Sequence, residues 1–297
     1  MKIRCHSFAL AAVLVTPVAP AYAAEPLRLK PSSPWHAHHE REYCRLGRSF
    51  GTGDDLIQII FERHEPSDSF RLMLVGKKMR KEANPSHAWI AFGAETAPER
   101  YLYTSGSLGD LPTWIITSAR LVPVPADVKK QRERQDWDER IDLPEITPMH
   151  EAAVRDVLVG RPLSKPVILE TGSMARPFAA LRECTDQLIT EWGLDAKLHK
   201  SARSKPQPTS NPGTWITDRD YPQEMRIKGQ PGLVEFRLII DPAGRVESCH
   251  IQVATKPAGF NDVVCDRLTK RATFSPALDQ DGQPMRSYYQ NTVRFQF

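Results

Sequence analysis

The chain lacks a long hydrophobic run, an excess of either charge and the common catalytic motifs. No apolar stretch in its 297 residues reaches the roughly 18 residues of an ordinary membrane-spanning helix. The 40 lysines and arginines nearly balance the 36 acidic residues, for a net charge of +4, which argues against a dedicated nucleic-acid-binding protein. Walker, Gly-x-Gly-x-x-Gly, Gly-x-Ser-x-Gly and His-Glu-x-x-His motifs are absent. We therefore expect no nucleic-acid partner, no cofactor, no metal and no enzymatic activity.

Residues 1–23 have the composition of a cleavable signal peptide. Lys2 and Arg4 precede an apolar run at 8–15, and Ala-Tyr-Ala at 21–23 is a small-residue cleavage site. The apolar run is about half as long as a bilayer span requires. The sequence therefore predicts export from the cytoplasm. The alternative is association with the inner membrane through an uncleaved signal.

Cysteine is scarce, and four residues remain beyond the predicted signal: Cys44, Cys184, Cys249 and Cys265. Export implies an oxidising compartment, in which paired thiols persist. Four cysteines permit three pairings. Sequence position favours 44–184 together with 249–265, because each bridge then stays within one apparent domain.

The predicted fold class is α+β, with a β-rich N-terminal domain at residues 25–195 that ends in helices. Short apolar runs separated by turn-rich pieces such as 105–112 predict an antiparallel sheet, a sandwich or a barrel. The strand-like runs are 55–62, 69–75, 87–92 and 113–122. Helices are predicted at 147–158 and 177–193, because Thr and Pro are typical of helix starts and Gly of helix ends.

A polar, basic, proline-containing segment at 196–214 has the composition of a linker and separates this domain from a second one at 215–297. In the second domain, residues 233–241 alternate, with Glu235 and Arg237 on the polar face. A return strand at 246–254 and a helix from 261 to about 272 bring Cys249 and Cys265 to a common apolar interface. A final strand follows this helix and completes the predicted order of elements in the second domain.

Five short motifs occur in a fixed order within the 77 residues from Tyr221 to Phe297: Tyr221-Pro222, Gly232-x-Val234-x-Phe236, Asp241-x-x-Gly244-x-Val246, Arg271-x-x-Phe274-x-Pro276-Ala277 and Asp281-Gly282-x-Pro284. Together they resemble the C-terminal domain of the TonB family. The resemblance implies a small β-β-α-β domain. It also implies binding of a short "TonB box" segment of outer-membrane receptors, which pairs as an added strand with a sheet edge.

The resemblance further implies which residues meet the partner. The last strand would present the edge through Tyr288, Gln290, Thr292 and Arg294. The segment with Asp218, Arg219, Tyr221 and Pro222 would lie near the receptor. The predicted function is that of a periplasmic TonB-family protein. It would bind outer-membrane TonB-dependent receptors or other envelope proteins and take part in TonB-dependent transport.

The chain departs from energy-transducing TonB proteins, which carry an uncleaved membrane helix and a long Pro-rich spacer. Contact with the inner-membrane proton-channel complex is therefore not expected, and a homodimer is left open. The alternative function is a periplasmic enzyme with a hydrolytic site in residues 35–195, built around His87 and nearby acids, and a TonB-like targeting module. The histidines at 36, 38 and 39 are interpreted as solvated rather than metal-binding.

Overall fold

The computed structural model describes residues 25–80, 86–134, 136, 141, 143–254 and 258–296. The predicted signal peptide, residues 1–23, lies outside the described residues. Two main hydrophobic cores are present, one formed mostly by residues before 195 and one by residues after 214. These cores define an N-terminal and a C-terminal domain.

The N-terminal domain is built mainly of strands. Its elements are β1 (Leu27–Leu29), β2 (His36–Glu40), β3 (Tyr43–Phe50), β4 (Ile57–Arg63), β5 (Phe70–Val75), β6 (Ser86–Phe92), β7 (Glu99–Leu108), β8 (Leu111–Ala119), α1 (Ala126–Glu133), α2 (Pro148–Ala153), β9 (Val157–Val159), β10 (Val167–Leu169) and α3 (Ala175–Glu191).

Its strands form one curled sheet in the order β1-β10-β9-β6-β7-β8-β5-β4-β3-β2. All described pairs are antiparallel except β1 with β10. A bridge between Pro31 and Phe50 joins the two ends of the curl. Aromatic rings fill the interior; Phe61, for example, lies 5.0 Å from Phe70 and 5.2 Å from Phe178 of α3. The sheet therefore wraps around a solid core that α3 closes.

Two local predictions differ from the structure. The helix predicted at 147–158 ends at Ala153, and Val157–Val159 is strand β9 instead. The β-branched residues of β9 pair with both β6 and β10 in the sheet interior, which overrides the helical pattern. The predicted turn-rich piece 105–112 is mostly strand, since β7 continues to Leu108 and β8 begins at Leu111. The turn is Gly109-Asp110, where Gly109 has a φ of +56°.

The C-terminal part begins with elements inside the predicted linker. Its elements are α4 (Ala196–Lys200), β11 (Gln207–Pro208), α5 (Gln223–Ile227), β12 (Gly232–Ile240), β13 (Val246–Ala254), α6 (Asn261–Arg271), β14 (Phe274–Ser275), β15 (Ala277–Leu278), β16 (Pro284–Met285) and β17 (Ser287–Phe295). Short 3₁₀ turns occur at Pro212–Thr214 and Asp218–Asp220.

The C-terminal domain is an antiparallel sheet in the order β13-β12-β17 with α6 packed on one face. This β-β-α-β arrangement is the one that the sequence motifs imply. The Asp241–Gly244 turn requires glycine, because Gly244 has a φ of +80° and a Cβ there would lie 1.9 Å from the Phe274 carbonyl oxygen. The motif residues Gly244 and Phe274 thus meet at a close backbone contact.

Among the described residues, no helix is both long enough and apolar enough to cross a membrane.

Two disulfides join the helices to the sheets, in the pairing that sequence position favours. Cys44 of β3 is bonded to Cys184 of α3, and Cys249 of β13 is bonded to Cys265 of α6. The bonded residues are 140 positions apart in the first bridge and 16 apart in the second. The first bridge therefore closes much the larger loop.

We expect the double variant Cys44→Ala/Cys184→Ala to lose more stability than Cys249→Ala/Cys265→Ala. The loop-entropy relation gives about 5 kcal/mol for the longer loop and about 3 kcal/mol for the shorter one. Urea unfolding of the oxidised wild type and both variants measures this difference. A larger loss from the second variant would contradict the loop-length argument.

Candidate partner-binding site

Strand β17 carries two faces with different surroundings. Tyr289, Val293 and Phe295 point toward α6 and join the second core, where the Tyr289 ring lies 5.0 Å from Phe274. The alternate side chains lie on the opposite face of the sheet. We call this the outer face, and its members are Leu233, Glu235, Arg237, Ile239, Tyr288, Gln290, Thr292 and Arg294.

The N-terminal domain covers the first half of β17 on the outer face. The Tyr288 ring lies 5.3 Å from Trp192 of this domain and 5.7 Å from His199 of α4, which follows it. Gln290 Nε2 donates a hydrogen bond of 3.0 Å to the His64 carbonyl oxygen. Burial raises the pKa of Tyr288 well above its usual value, and the neighbouring Glu65 carboxylate adds to the rise. Two of the four predicted edge side chains therefore contact the chain's own N-terminal domain.

The second half of β17 is open. Thr292 and Arg294 are exposed, and β17 is an edge strand of its sheet. The N–H of Thr292 donates to Asn291 Oδ1 at 2.8 Å, which indicates that it points to the free edge. Alternation in an antiparallel ladder directs the main-chain groups of Gln290 and Arg294 the same way. Such an edge is a template for another strand.

A groove of about 470 Å³ runs along this open edge on the side of α6. One wall is the strand from Asn291 to Phe295, and the other is the segment 212–221, including Trp215, Ile216 and Asp218. The structure thus brings the two predicted partner-binding segments together at one groove. Of the four predicted residues in this segment, the exposed Asp218 and the half-buried Tyr221 line the groove, whereas Arg219, which is exposed, and Pro222, which is half-buried, do not.

The segment 215–221 is held in place by a buried carboxylate, Asp220. It accepts hydrogen bonds from the Thr217 N–H (2.9 Å), Arg267 Nε (2.7 Å) and Arg271 Nη1 (2.6 Å). Arg271 also donates to the Trp215 carbonyl oxygen at 2.9 Å. The hydrogen bond from Arg271, more than any other contact, holds the pKa of Asp220 well below its usual range. This network fixes the groove wall to α6.

Tyr221 supports the same wall from the other end. Its hydroxyl donates to the Gln230 carbonyl oxygen at 2.6 Å, and its ring meets Phe260 and Phe295 edge-on at 5.6 and 5.4 Å. Tyr221 is therefore a positioning residue of the groove. Sequence reasoning singled out Arg271 only as part of a motif and missed Asp220, although Thr217-x-x-Asp220 has the spacing of a capping box.

The outer face is fixed to the N-terminal domain by ion pairs. Arg71 bridges Glu62 of its own domain and Glu235 of β12. Burial favours a raised pKa for Glu62, but the hydrogen bond to His64 and the charges of His64, Arg71 and Arg45 outweigh it and lower the pKa to about 2. The carboxylate therefore stays ionised at the interface.

A second pair joins Arg237 of β12 to Glu42, and the Arg237 guanidinium lies 4.0 Å from the centre of the Trp192 ring. Because Arg237 is buried, its charge needs both partners. Ile239, on the same face, is buried in the N-terminal core. Strand β12 thus contributes to the cores of both domains.

Among the described residues, no acid pairs with His87, around which the alternative enzymatic site is predicted. His87 is exposed on β6, and its Nδ1 lies 3.2 Å from Arg100 Nη2, a cationic neighbour rather than an acid. His38 pairs with Glu40 at 2.8 Å, whereas His39 pairs with Glu191 at 3.2 Å. In the part of the chain that the structure describes, no group of three or more His, Cys, Asp or Glu side chains is arranged to hold a metal ion.

The C-terminal domain is thus a three-stranded sheet backed by one helix, with an open edge strand beside a groove. Residues 217–297 match the model of the family described as Gram-negative bacterial TonB protein C-terminal. This part of the chain is therefore a TonB C-terminal domain, which confirms the resemblance carried by its motifs. The domain indicates an envelope- and transport-associated role, and its family is generally non-enzymatic. No curated protein matches the chain.

We expect Arg271→Met to loosen the groove wall, because Asp220 loses its strongest partner and the Trp215 carbonyl loses a donor. Amide hydrogen exchange at Thr217 should become about tenfold faster or more, as local opening becomes easier. The matched control is Arg271→Lys, which keeps the charge and should show a smaller effect. Unchanged exchange at Thr217 in the methionine variant would show that Arg271 does not hold the wall.

The low pKa of Glu62 predicts an acid-dependent loss of stability. A carboxylate whose pKa in the folded protein lies below its unfolded value of 4.5 stabilises the fold fully above pH 4.5. This stabilisation is lost as the pH falls toward 2. The contribution lost is about 3 kcal/mol. In urea unfolding from pH 7 to pH 2, the difference in unfolding free energy between wild type and Glu62→Gln should shrink by about this amount below pH 4.5. A difference that stays constant with pH would contradict the assignment.

Proposed function

We propose that the protein is a periplasmic member of the TonB family that binds extended segments of outer-membrane TonB-dependent receptors, or of other envelope proteins, by strand addition to β17. The match to the TonB C-terminal family supports the envelope setting and the link to transport. The observation that carries the proposal is the open edge of β17 beside a groove of about 470 Å³.

The groove has the two properties that strand addition requires. The outward main-chain groups of β17, at Gln290, Thr292 and Arg294, supply hydrogen bonds that do not depend on the sequence of the partner. The walls of the groove supply selectivity, since the half-buried Ile216 offers apolar surface and Asp218 an exposed carboxylate. A partner strand in which apolar and polar side chains alternate suits this wall.

The enzyme alternative receives no comparable support. His87 of β6 lies beside the Arg100 guanidinium of β7 and has no carboxylate partner among the contacts that the structure describes. The binding proposal uses residues that the fold already brings together, Asp218 and Thr292 among them.

Proline at Thr292 tests the proposal, because it removes an outward N–H and places a ring on the open edge. The N–H of Thr292 points to the free edge, so the sheet itself is spared. We expect a fluorescent TonB-box peptide to bind the disulfide-intact wild type saturably in an anisotropy titration. Thr292→Pro should weaken this binding about tenfold or more, which corresponds to about 1.4 kcal/mol.

The matched control is Thr292→Val, which keeps the N–H and should bind within about twofold of wild type, because main-chain groups carry most of the affinity. Far-UV circular dichroism and the melting temperature establish that both variants fold. Absence of saturable binding by the wild type, or equal binding by the proline variant, would overturn strand addition at this edge.

A further inference from the structure

We propose that the N-terminal domain forms a second wall of the binding site, so that a strand added to β17 is recognised by both domains. The inference rests on the proposed function and deepens it. The wall is the β4–β5 loop at 64–69, together with Arg71 and Thr117. The partner is an extended segment whose alternate side chains enter the groove and the cleft, and those that face the N-terminal domain carry charges complementary to Glu65 and Arg294.

A second cleft flanks the same stretch of β17. It has a volume of about 380 Å³ and lies between the outer face and the N-terminal domain. Asn291, Thr292 and Arg294 border both this cleft and the groove on the side of α6. The open edge therefore lies between two cavities, one on each face of the sheet.

The geometry of a sheet makes an added strand reach both cavities. A strand paired with β17 lies in the plane of the sheet, about 4.8 Å away, and its successive side chains point to opposite faces. One set enters the groove beside Trp215. The other set enters the cleft, where the opposite wall includes His64, Glu65 and Ser67.

The second wall is fixed relative to the edge. Gln290 is hydrogen-bonded to the His64 carbonyl oxygen, one residue before Glu65. The ion pairs from Arg71 to Glu235 and from Arg237 to Glu42 hold the domains together farther along the outer face. The β4–β5 loop is therefore already in place before a partner binds, and no ordering cost is added on binding.

Charged and polar residues make up most of the lining of the cleft, and its charges indicate what the partner carries. Glu62, Arg71 and Glu235 compensate one another within the interface. Glu65 and Arg294 make no ion pair in the part of the chain that the structure describes. Glu65 lies beside Tyr288, whereas Arg294 is six residues farther along β17 and close to the other end of the cleft. A basic side chain of the partner suits Glu65, and an acidic one suits Arg294.

Photo-crosslinking of the full chain tests the two-walled site directly. The probe is the TonB-box peptide with benzoylphenylalanine placed at each position in turn, and mass spectrometry locates the crosslinks. We expect crosslinks to alternate along the peptide between residues 212–221 of the groove and residues 64–69 of the β4–β5 loop. Crosslinks confined to residues 212–297 would overturn the second wall while leaving strand addition intact.

Charge exchange at Glu65 supplies the second measurement. The crosslinks identify the peptide position nearest the loop, and peptides with Lys or Glu at that position are compared. Wild type should prefer the Lys peptide, and Glu65→Arg should reverse this preference, with a change of about fivefold or more in the affinity ratio. The matched control is Asp110→Arg, an exposed acid in the β7–β8 turn, which should leave the ratio unchanged.

An affinity ratio that is equal in wild type and Glu65→Arg would overturn the assigned charge recognition. Absence of any peptide binding to wild type would overturn strand addition and the second wall together. The second wall alone would be overturned if Thr292→Pro abolishes binding while the crosslinks do not alternate between the two walls and the charge at residue 65 has no effect on the affinity ratio.

Discussion

A buried cation, Arg237, determines how the two domains meet. It lies at the centre of the outer face, between the Glu42 carboxylate and the Trp192 ring. Both partners belong to the N-terminal domain, and a guanidinium buried without them would be costly. The contact therefore sets the position of the C-terminal sheet against the curled sheet, and with it the position of β17 and of both cavities beside it.

The C-terminal domain was predictable because its local patterns agree with its tertiary contacts. Alternation in 233–241 assigned the faces of β12, and the turn at Asp241–Gly244 and the helix at 261 gave the order of elements. The pairing of Cys249 with Cys265 followed from those faces. The alternation of apolar and polar residues along a strand predicts which side chains share a face, but it does not predict what packs against that face. Glu235 and Arg237 were placed on a polar face, and the structure buries that face against another domain.

The N-terminal domain was less predictable, because its sheet is built from distant pairings. Strand β9 lies between β6 and β10, so its three apolar residues take their conformation from neighbours far away in sequence. At the site, the motifs located the edge strand and the segment around Tyr221. They did not reveal that Tyr288 and Gln290 contact the N-terminal domain while Thr292 and Arg294 remain open. That division depends on the domain interface, which no local pattern encodes.

The different lengths of pairing on the two sides of β17 have a mechanical consequence. Toward β12, all nine residues from Ser287 to Phe295 are paired. Toward a partner, the open part begins only near Asn291. When the partner is pulled along its own axis, the shorter ladder shares the load among fewer hydrogen bonds and ruptures first. With strand addition as proposed, excess tension would detach the partner before it could peel the last strand out of the domain.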